Sequence, residues 1–284
     1  MPPTACIVTD STAQLPQPDF AGSELVHVVP LTIQLNGREN KNISKIDVSQ
    51  LPATADKSLS PMLLPVSQEK LTKLFLKLSQ KYDEIIAIFA SSHLNPTFLN
   101  AQAVAEELHG RVNILTIDSQ TLSLGLGLMV EAAAEALSKG ARGSEVERQV
   151  RSLIPRVYTI LCTPGLSYLY YNGILDIGQA LIGEKLGVFP IFGVEEGILT
   201  PLEKVRNHRY ALDFFREFVE EFDNLQYIAL LQNVPVNPQD TQYLKTQLLE
   251  SFPNTPFMAH PINPSLAALF GPSSLGLFVV EESA

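Results

Sequence analysis

Residues 85–108, IIAIFASSHLNPTFLNAQAVAEEL, contain one complete strand, turn and helix. Residues 85–89 are continuously apolar, which is typical of a strand covered on both faces of a sheet. The polar turn after them ends in Asn95-Pro96. Asparagine caps helices well and proline is tolerated in the first turn, so this pair predicts a helix start. We therefore expect a buried parallel strand that leads through a polar turn into a helix reaching His109.

Two further apolar runs in the first half end in hydroxyl and carboxylate groups. Residues 5–8 lead into Thr9, Asp10 and Ser11, and residues 112–117 lead into Asp118. Parallel strands end at one edge of a sheet, where open α/β sheets bind ligands. We expect these side chains to converge there with those of the turn described above, namely Ser91, Ser92, Asn95 and Thr97. The same residue types also suit helix caps and turns, so both interpretations stay open.

The length of 284 residues exceeds the usual size of a single core. A helix rich in arginine and then Pro155 suggest a boundary, so we predict two α/β domains, residues 1–155 and 156–284. Strands alternate with helices in both halves, which favours an α/β fold. The predicted strands are 5–8, 26–35, 85–89, 112–117, 157–162, 187–194, 227–231 and 275–280. The predicted helices begin at 68, 97, 122, 144, 166, 177, 210 and 240, and residues 47–65 are expected to form a loop. Ser67 is the predicted cap of the helix from 68, and two helices carry an apolar face, formed by Leu71, Leu74, Phe75 and Leu78 in the first and by Leu212, Phe215 and Val219 in the helix from 210. The internal prolines Pro30 and Pro190 favour an edge position for their strands, or a bulge in the case of Pro190.

Composition excludes several classes of protein. The net charge of −10, with no cluster of lysine and arginine, argues against nucleic-acid binding. The N-terminus does not resemble a signal peptide, and no apolar stretch approaches the ~20 residues that span a bilayer. Cys6 and Cys162 lie in apolar runs and are expected to be buried thiols of a cytoplasmic protein. The five histidines show no metal-ligand spacing, and we expect neither a metal nor a cofactor.

The polar turn allows a catalytic interpretation as well as a binding one. An esterase would use Ser91 or Ser92 as nucleophile, His93 as base and Asp118 or Asp10 to orient the base. Adjacent residues of an extended segment point in opposite directions, and the chain has no G-x-S-x-G motif. A binding protein is therefore favoured over an enzyme. An interaction protein is the third class, and tyrosines 168, 170 and 171 are candidates for a contact surface.

The order and spacing of several motifs resemble the DegV family of bacterial lipid-binding proteins over essentially the whole chain. The motifs are Thr9-Asp10-Ser11-Thr12, Val29-Pro30-Leu31, the stretch from Ser91 to Phe98, Asp118-Ser119, the segment from Tyr168 to Gly183, Pro190 with Arg206, and the stretch from Gly271 to Gly276. The resemblance implies two α/β domains with a long-chain fatty acid in a tunnel between them. It also implies a carrier without catalysis that presents the acyl chain to a separate fatty acid kinase.

The chain departs from the family pattern where the resemblance places the acid head group. Leu63 stands for a threonine, although Ser58 or Ser60 takes that place if the loop is threaded differently. The other departures are Leu64 for a serine, Asn95 for a serine, Pro96 for a glycine, Ile174 for an arginine, Phe189 for a lysine and Leu269 for a histidine.

A buried carboxylate without a cation or hydroxyl groups costs several kcal/mol. These departures therefore favour a neutral head group, such as an alcohol, ester or amide, over a free acid. The alternative is a degenerate protein with a closed pocket that acts as an interaction module. The candidate ligand-binding residues are Thr9, Asp10, Ser11, Leu63, Ser91, Ser92, Asn95, Thr97, Asp118, Ile174 and Leu269.

Overall fold

A computed structural model describes residues 5–17, 19–40, 46–233 and 238–282. The strands are β1 Ala5–Asp10, β2 Val26–Val29, β3 Thr32–Leu35, β4 Arg38–Asn40, β5 Met62–Leu64, β6 Glu84–Phe89, β7 Asn113–Asp118, β8 Val157–Cys162, β9 Phe189–Glu195, β10 Ile198–Val205, β11 Leu225–Gln232, β12 Phe257–Pro261 and β13 Leu275–Glu281. The helices are α1 Gln68–Leu78, α2 Thr97–Glu107, α3 Ser123–Ser138, α4 Gly143–Leu153, α5 Leu166–Tyr171, α6 Ile177–Lys185, α7 His208–Val219, α8 Pro238–Ser251 and α9 Pro264–Phe270.

The described residues form two compact units. The first unit comprises residues 5–32, 64–155 and 196–198, and the second comprises 33–63, 156–195 and 199–282. One change of unit falls between Pro155 and Arg156, where the sequence places the domain boundary. Residues 33–63 and 196–198, however, group with the opposite half of the chain. Two α/β domains with the bounds 1–155 and 156–284 stay a prediction.

A four-stranded parallel sheet in the order β2-β1-β6-β7 forms the centre of the first unit. Residues 85–89 of β6 are completely buried, and β6 lies between β1 and β7. This confirms the prediction from the continuous apolar run, because a central parallel strand is covered on both faces. Helix α1 begins after Ser67, whose side chain accepts a hydrogen bond from the Lys70 N–H. Its buried residues Leu71, Phe75 and Leu78 lie on one face, as the sequence pattern predicts.

A six-stranded mixed sheet in the order β10-β9-β8-β13-β11-β12 lies in the second unit. Strands β8 and β11 both pair antiparallel with β13, whereas β11 and β12 are parallel. Helix α7 packs into the core of this unit through Leu212, Phe215 and Val219, which confirms its predicted apolar face. The two sheets with their helices confirm the α/β class.

Three predictions of local structure are wrong. Residues 26–35 form two strands, not one: β2 joins the parallel sheet and β3 joins a small sheet with β4 and β5. Residues 47–65 contain a 3-10 helix, Val48–Gln50, and β5, where a loop was expected. Strand β9 lies between β10 and β8, so the edge position offered for Pro190 is wrong, while the alternative of a bulge stays a prediction. Pro190 precedes Ile191, the first β9 residue in register with β8, so its missing N–H removes no hydrogen bond from that register.

Two elements near the C-terminus, β12 and α9, have no counterpart in the sequence prediction. Both are short, and their apolar residues show no period long enough to detect. Among the residues that the structure describes, no helix has the length and apolar character needed to cross a membrane.

Candidate functional site

The carboxyl ends of β1, β6 and β7 form what we call the polar edge, which is the edge of the parallel sheet that carries Thr9, Asp10, Ser11, Ser91, Ser92 and Asp118. The three strands are adjacent and parallel, with Val8 opposite Ala87 and Phe89 opposite Asp118. The predicted convergence of strand ends within the first unit is therefore confirmed. The hydrogen bonds of each side chain then decide what it can offer a ligand.

Asp10 is fully buried and ties the end of β1 to the end of β6. Its Oδ1 accepts hydrogen bonds from the Thr12 N–H at 2.8 Å and the Thr12 hydroxyl at 2.5 Å. Its Oδ2 accepts from the Ala90 N–H at 3.2 Å. Burial raises the pKa of the Asp10 carboxyl above its usual value, while these hydrogen bonds act in the opposite direction. Asp10 therefore organises the polar edge from inside.

Ser91 is also fully buried, and its hydroxyl group both donates and accepts a hydrogen bond. The Ser91 Oγ donates to the Gly197 carbonyl at 2.7 Å and accepts from the His93 N–H at 3.2 Å. Gly197 has a φ of +84°, and a Cβ atom on it would lie 2.5 Å from the Ser91 Oγ. A glycine is thus required at this turn both by its backbone conformation and by the closeness of Ser91.

The remaining groups near the turn do not form a catalytic triad. Asp118 accepts hydrogen bonds from the backbone N–H groups of Ser92, at 3.2 Å, and Gln120, at 2.9 Å. The hydroxyl proton of Ser91 goes to a carbonyl oxygen, not to a base. His93 is exposed and contacts Ser91 through its backbone N–H. This arrangement lacks the hydrogen bond between nucleophile and base that serine catalysis needs.

Asn95 and Thr97 begin helix α2. The Asn95 Oδ1 accepts from the Thr97 N–H at 3.1 Å and from the Thr97 hydroxyl at 2.6 Å. The Thr97 Oγ1 in turn accepts from the Val66 N–H at 3.1 Å. The N-cap position itself is taken by Pro96, one residue later than expected. The Asn95 side chain thus accepts from the first N–H of α2 without being its N-cap residue, and a ligand role for the two residues stays a prediction.

Thr9 and Ser11 differ in how their hydroxyl groups are used. The Ser11 Oγ accepts from the Leu31 N–H at 3.1 Å, which holds the segment between β2 and β3. The Thr9 Oγ1 is buried without a hydrogen-bond partner. A buried hydroxyl without a partner costs about 1–3 kcal/mol, which makes Thr9 the candidate of the polar edge with the most to gain from a ligand or water.

The other three candidates, Leu63, Ile174 and Leu269, belong to the second unit. Leu63 and Leu269 are buried, and Ile174 is half-buried. We call one set of groups the Asn172 cluster, which is Asn172 with its hydrogen-bond partners Pro61, Leu63, Tyr168 and Ala268. Leu63 belongs to this cluster, and Ile174 and Leu269 lie close to it in the chain. The cluster holds the β5 strand and helices α5 and α9 together.

Asn172 is not among the residues singled out from the sequence, and neither are two hydrogen bonds that anchor helix α5. The Tyr168 hydroxyl donates to the Pro52 carbonyl at 2.7 Å, and the Ser167 Oγ accepts from the Ala55 N–H at 2.7 Å. Burial raises the pKa of the Tyr168 hydroxyl, so it stays a donor. Tyr168 and Asn172 are visible in the sequence as polar side chains, but their hydrogen-bond partners are more than a hundred residues away.

Two surface cavities lie away from all eleven candidates. One, of about 370 Å³, is lined by residues of β10 and α7, among them Tyr210, and by Arg206 between the two elements. The other, of about 340 Å³, lies beside Phe252 and Thr255. In the described part of the chain, no group of three or more histidine, cysteine, aspartate or glutamate side chains is arranged to hold a metal ion.

Comparison with known proteins places the chain in a family. Residues 4–282 match the family model described as "Uncharacterised protein, DegV family". The chain belongs to the DegV family. A DegV domain-containing protein of Caldanaerobacter subterraneus subsp. tengcongensis is 31% identical over 214 residues, which cover 75% of this chain and 76% of that protein.

Two solved structures share this fold over nearly their full length. The fatty acid binding DegV family protein of Streptococcus agalactiae has a TM-score of 0.82 at 22% identity, with 98% and 99% of the two chains covered. The Streptococcus pneumoniae Fatty Acid Kinase (Fak) B3 protein, loaded with linoleic acid, has a TM-score of 0.81 at 19% identity, with 98% and 100% covered. The resemblance inferred from the motifs and the DegV-like fold are confirmed.

Proposed function

We propose that this DegV-family chain is a carrier that binds a long-chain fatty acid or a fatty-acid-like lipid without chemical turnover. The main support is its similarity in fold, over almost the whole chain, to a DegV family protein described as fatty acid binding and to a protein loaded with linoleic acid. The polar edge supports the proposal because it offers the partnerless hydroxyl of Thr9 at the sheet edge where open α/β folds bind ligands.

The energetics favour a lipid over a small polar ligand. Burial of about sixteen methylene groups, at about 0.8 kcal/mol each, contributes on the order of 10 kcal/mol before ordering costs. The hydroxyl groups of Ser11 and Ser91 already have protein partners, so the head group adds little to this sum. The tail therefore supplies most of the affinity, and turnover is not expected because the Ser91 hydroxyl donates to the Gly197 carbonyl and not to a base.

A carrier whose ligand has a carboxylate can also present that ligand to a fatty acid kinase. It is supported by the similarity to the Streptococcus pneumoniae Fatty Acid Kinase (Fak) B3 protein. Incubation of the loaded chain with a bacterial fatty acid kinase and ATP, followed by detection of acyl phosphate, tests this step. Two expectations stay predictions from sequence: that the protein uses no cofactor, and that it is cytoplasmic.

Native mass spectrometry of the purified chain tests the lipid-binding proposal. We expect a bound mass that denaturing extraction identifies as a lipid. We also expect a delipidated sample to regain thermal stability when a fatty acid, fatty alcohol or monoacylglycerol is added, because ligands that bind only the folded state stabilise it. No bound mass together with no stabilisation by any of the three would refute the proposal. An unrelated protein purified from the same host controls for lipid carried over from the lysate.

A protein-interaction module is the second candidate, and one observation favours it. Helix α6 and the residue after its end expose apolar side chains by half or more of their area: Ile177, Leu181, Ile182 and Leu186. Exposed apolar patches often mark contact surfaces. This function becomes the better explanation if the mass spectrometry and stabilisation experiments both give negative results.

A further inference from the structure

Two hydroxyl groups of the first unit are buried and have no hydrogen-bond partner among the described residues. They are the Thr9 Oγ1, near the end of β1, and the Ser123 Oγ, at the start of α3. Both residues are 0% exposed. A buried hydroxyl group without a partner is unfavourable, so each of the two has a hydrogen bond to gain from a bound polar atom.

The Thr9 side chain points towards the face of the sheet that α3 and α4 cover. Successive side chains of a strand alternate between faces, so Thr9 shares a face with Ala5. Ala5 is paired in register with Glu84 of β6, and the Glu84 side chain lies against Gly143 of α4. Helices α3 and α4 pack against each other, and α3 also packs on β1. The Thr9 hydroxyl group therefore lies in the layer between the sheet and these helices.

The start of α3 lies beside the segment that leaves β1. The Gln14 N–H, four residues after the end of β1, donates to the Ser123 carbonyl at 3.0 Å. One turn further along α3, Gly127 has no room for a Cβ atom, because the Gln14 carbonyl oxygen lies against it. These contacts bring the end of β1, which carries Thr9, next to the helix start that carries Ser123.

The first turn of α3 offers further donors. Its N-cap residue is Leu122, which makes no side-chain cap hydrogen bond. The Leu126 N–H donates to the Leu122 carbonyl at 3.3 Å, and the N–H groups of residues 123–125 precede this bond. Leu122, Leu124 and Leu126 are buried, so apolar side chains surround the helix start. The N–H groups of a helix start and the positive end of its dipole favour a negatively charged atom.

The carboxyl groups of the polar edge lie on the other face of the sheet. Asp10 follows Thr9 directly in β1, and adjacent residues of a strand point to opposite faces. The same alternation along the paired strands β6 and β7 places Asp118 on the face opposite Thr9. On α3 itself the first carboxylate is that of Glu131, eight residues or about 12 Å along the helix from Ser123. The layer at the start of α3 is thus free of the acidic groups of the polar edge.

We propose that the first turn of α3, together with the hydroxyl groups of Thr9 and Ser123, binds a compact anion with a single charge. Residues 5–15 and 118–131 contain no lysine or arginine, so a multiply charged anion such as phosphate would lack a compensating cation there. The single charge can come from a free halide ion or from the carboxylate of a lipid, and the second source rests on the proposed function. Either source ties the end of β1 to the start of α3.

Thermal unfolding of the delipidated full chain tests the halide source. Sodium chloride is compared with sodium gluconate at equal ionic strength, because gluconate is too large for an enclosed site. We expect the thermal midpoint to be about 2–4 °C higher in about 200 mM chloride, since a ligand that binds only the folded state stabilises it. Bromide should act as chloride does, and crystals soaked in bromide should show an anomalous peak between Thr9 and Ser123.

Two substitutions test the residues themselves. Thr9→Val keeps the shape of the side chain and removes its hydroxyl group. Ser123→Gly removes the other hydroxyl group and suits the backbone, because Ser123 has a φ of +54°, which glycine adopts without strain. Each should reduce the chloride effect by at least half, and Ser123→Gly decides if Thr9→Val does not fold. Thr255→Val is the matched control, because the buried Thr255 hydroxyl donates to the Leu225 carbonyl at 2.8 Å. This control should lower the midpoint and leave the chloride effect unchanged.

Binding of oleate and oleyl alcohol to the same variants tests the carboxylate source. If the carboxylate occupies the site, Thr9→Val and Ser123→Gly weaken oleate binding at least tenfold and leave the binding of oleyl alcohol unchanged. Equal midpoints in chloride and gluconate, together with unchanged oleate binding by a folded variant, would overturn the inference and assign the two hydroxyl groups to buried water. Binding of oleyl alcohol would support the lipid-binding function in that case too. A chloride effect without binding of either lipid would support the anion site and contradict the lipid-binding function.

Discussion

Replacement of Asp10 by alanine should destabilise the fold strongly, although Asp10 is a charged residue in a buried position. The carboxylate serves two backbone donors from different elements, the N–H of Thr12 and the N–H of Ala90. Both lie where water cannot replace the carboxylate, because Asp10 and Thr12 are almost completely buried and Ala90 is 2% exposed.

The magnitude follows from these donors. A buried N–H without an acceptor costs about 1–3 kcal/mol, so two cost about 2–6 kcal/mol. Removal of a buried charge offsets part of this loss of stability, and we expect Asp10→Ala to lose about 3 kcal/mol of unfolding free energy. Asp10→Asn should lose less, because the amide Oδ1 can still accept from Thr12. Only the Ala90 N–H loses its acceptor, since it then faces the amide N–H₂ group in place of a carboxylate oxygen.

Urea unfolding followed by circular dichroism measures these differences. Asp47→Ala is the matched control, because Asp47 accepts from the Ser49 N–H and hydroxyl in the same local geometry but on the surface. It should change the urea midpoint little. Equal losses for Asp10→Ala and Asp47→Ala would refute the reasoning, because they would show that the Asp10 hydrogen bonds add nothing beyond a local turn.

The pH dependence gives an independent check. Burial raises the folded-state pKa of Asp10 above the unfolded value near 3.8. The stability that this shift contributes is fully present below pH 3.8 and is lost as the pH rises through the folded pKa. The wild type should therefore gain stability relative to Asp10→Asn on acidification from neutral pH. The opposite trend would show that the hydrogen bonds from Thr12 and Ala90 outweigh burial.

Three further predictions concern the turn, the thiols and the core. Gly197→Ala should lower the thermal midpoint more than Gly173→Ala, because both have positive φ but only Gly197 faces another side chain; equal losses would leave backbone strain as the sole cause. Cys6 and Cys162 should resist a thiol reagent at pH 8 until the chain is unfolded, because burial raises both pKa values to about 12, and fast labelling of the folded protein would contradict this. Phe215→Ala should cost about 3–5 kcal/mol in urea unfolding, because Phe215 is fully buried, and a loss below about 1 kcal/mol would contradict its place in the core.

The sequence by itself determined the elements whose signals are local. The apolar run of β6, the Ser67 cap of α1 and the apolar face of α7 all depend on residues within a few positions of one another. The convergence of three strand ends at the polar edge also followed, because parallel strands separated by helices must end at the same edge. Motif order was enough to indicate the DegV family.

Only the tertiary structure decided where the segments with weak local signals lie. Residues 26–35 have a single strand pattern, yet Pro30 and Leu31 separate two strands that pair in different sheets. The role of Asn172 depends on the Leu63 N–H, which is 109 positions away. A hydrogen bond across such a distance leaves no period or spacing in the sequence, because it exists only when packing has brought its donor and acceptor together.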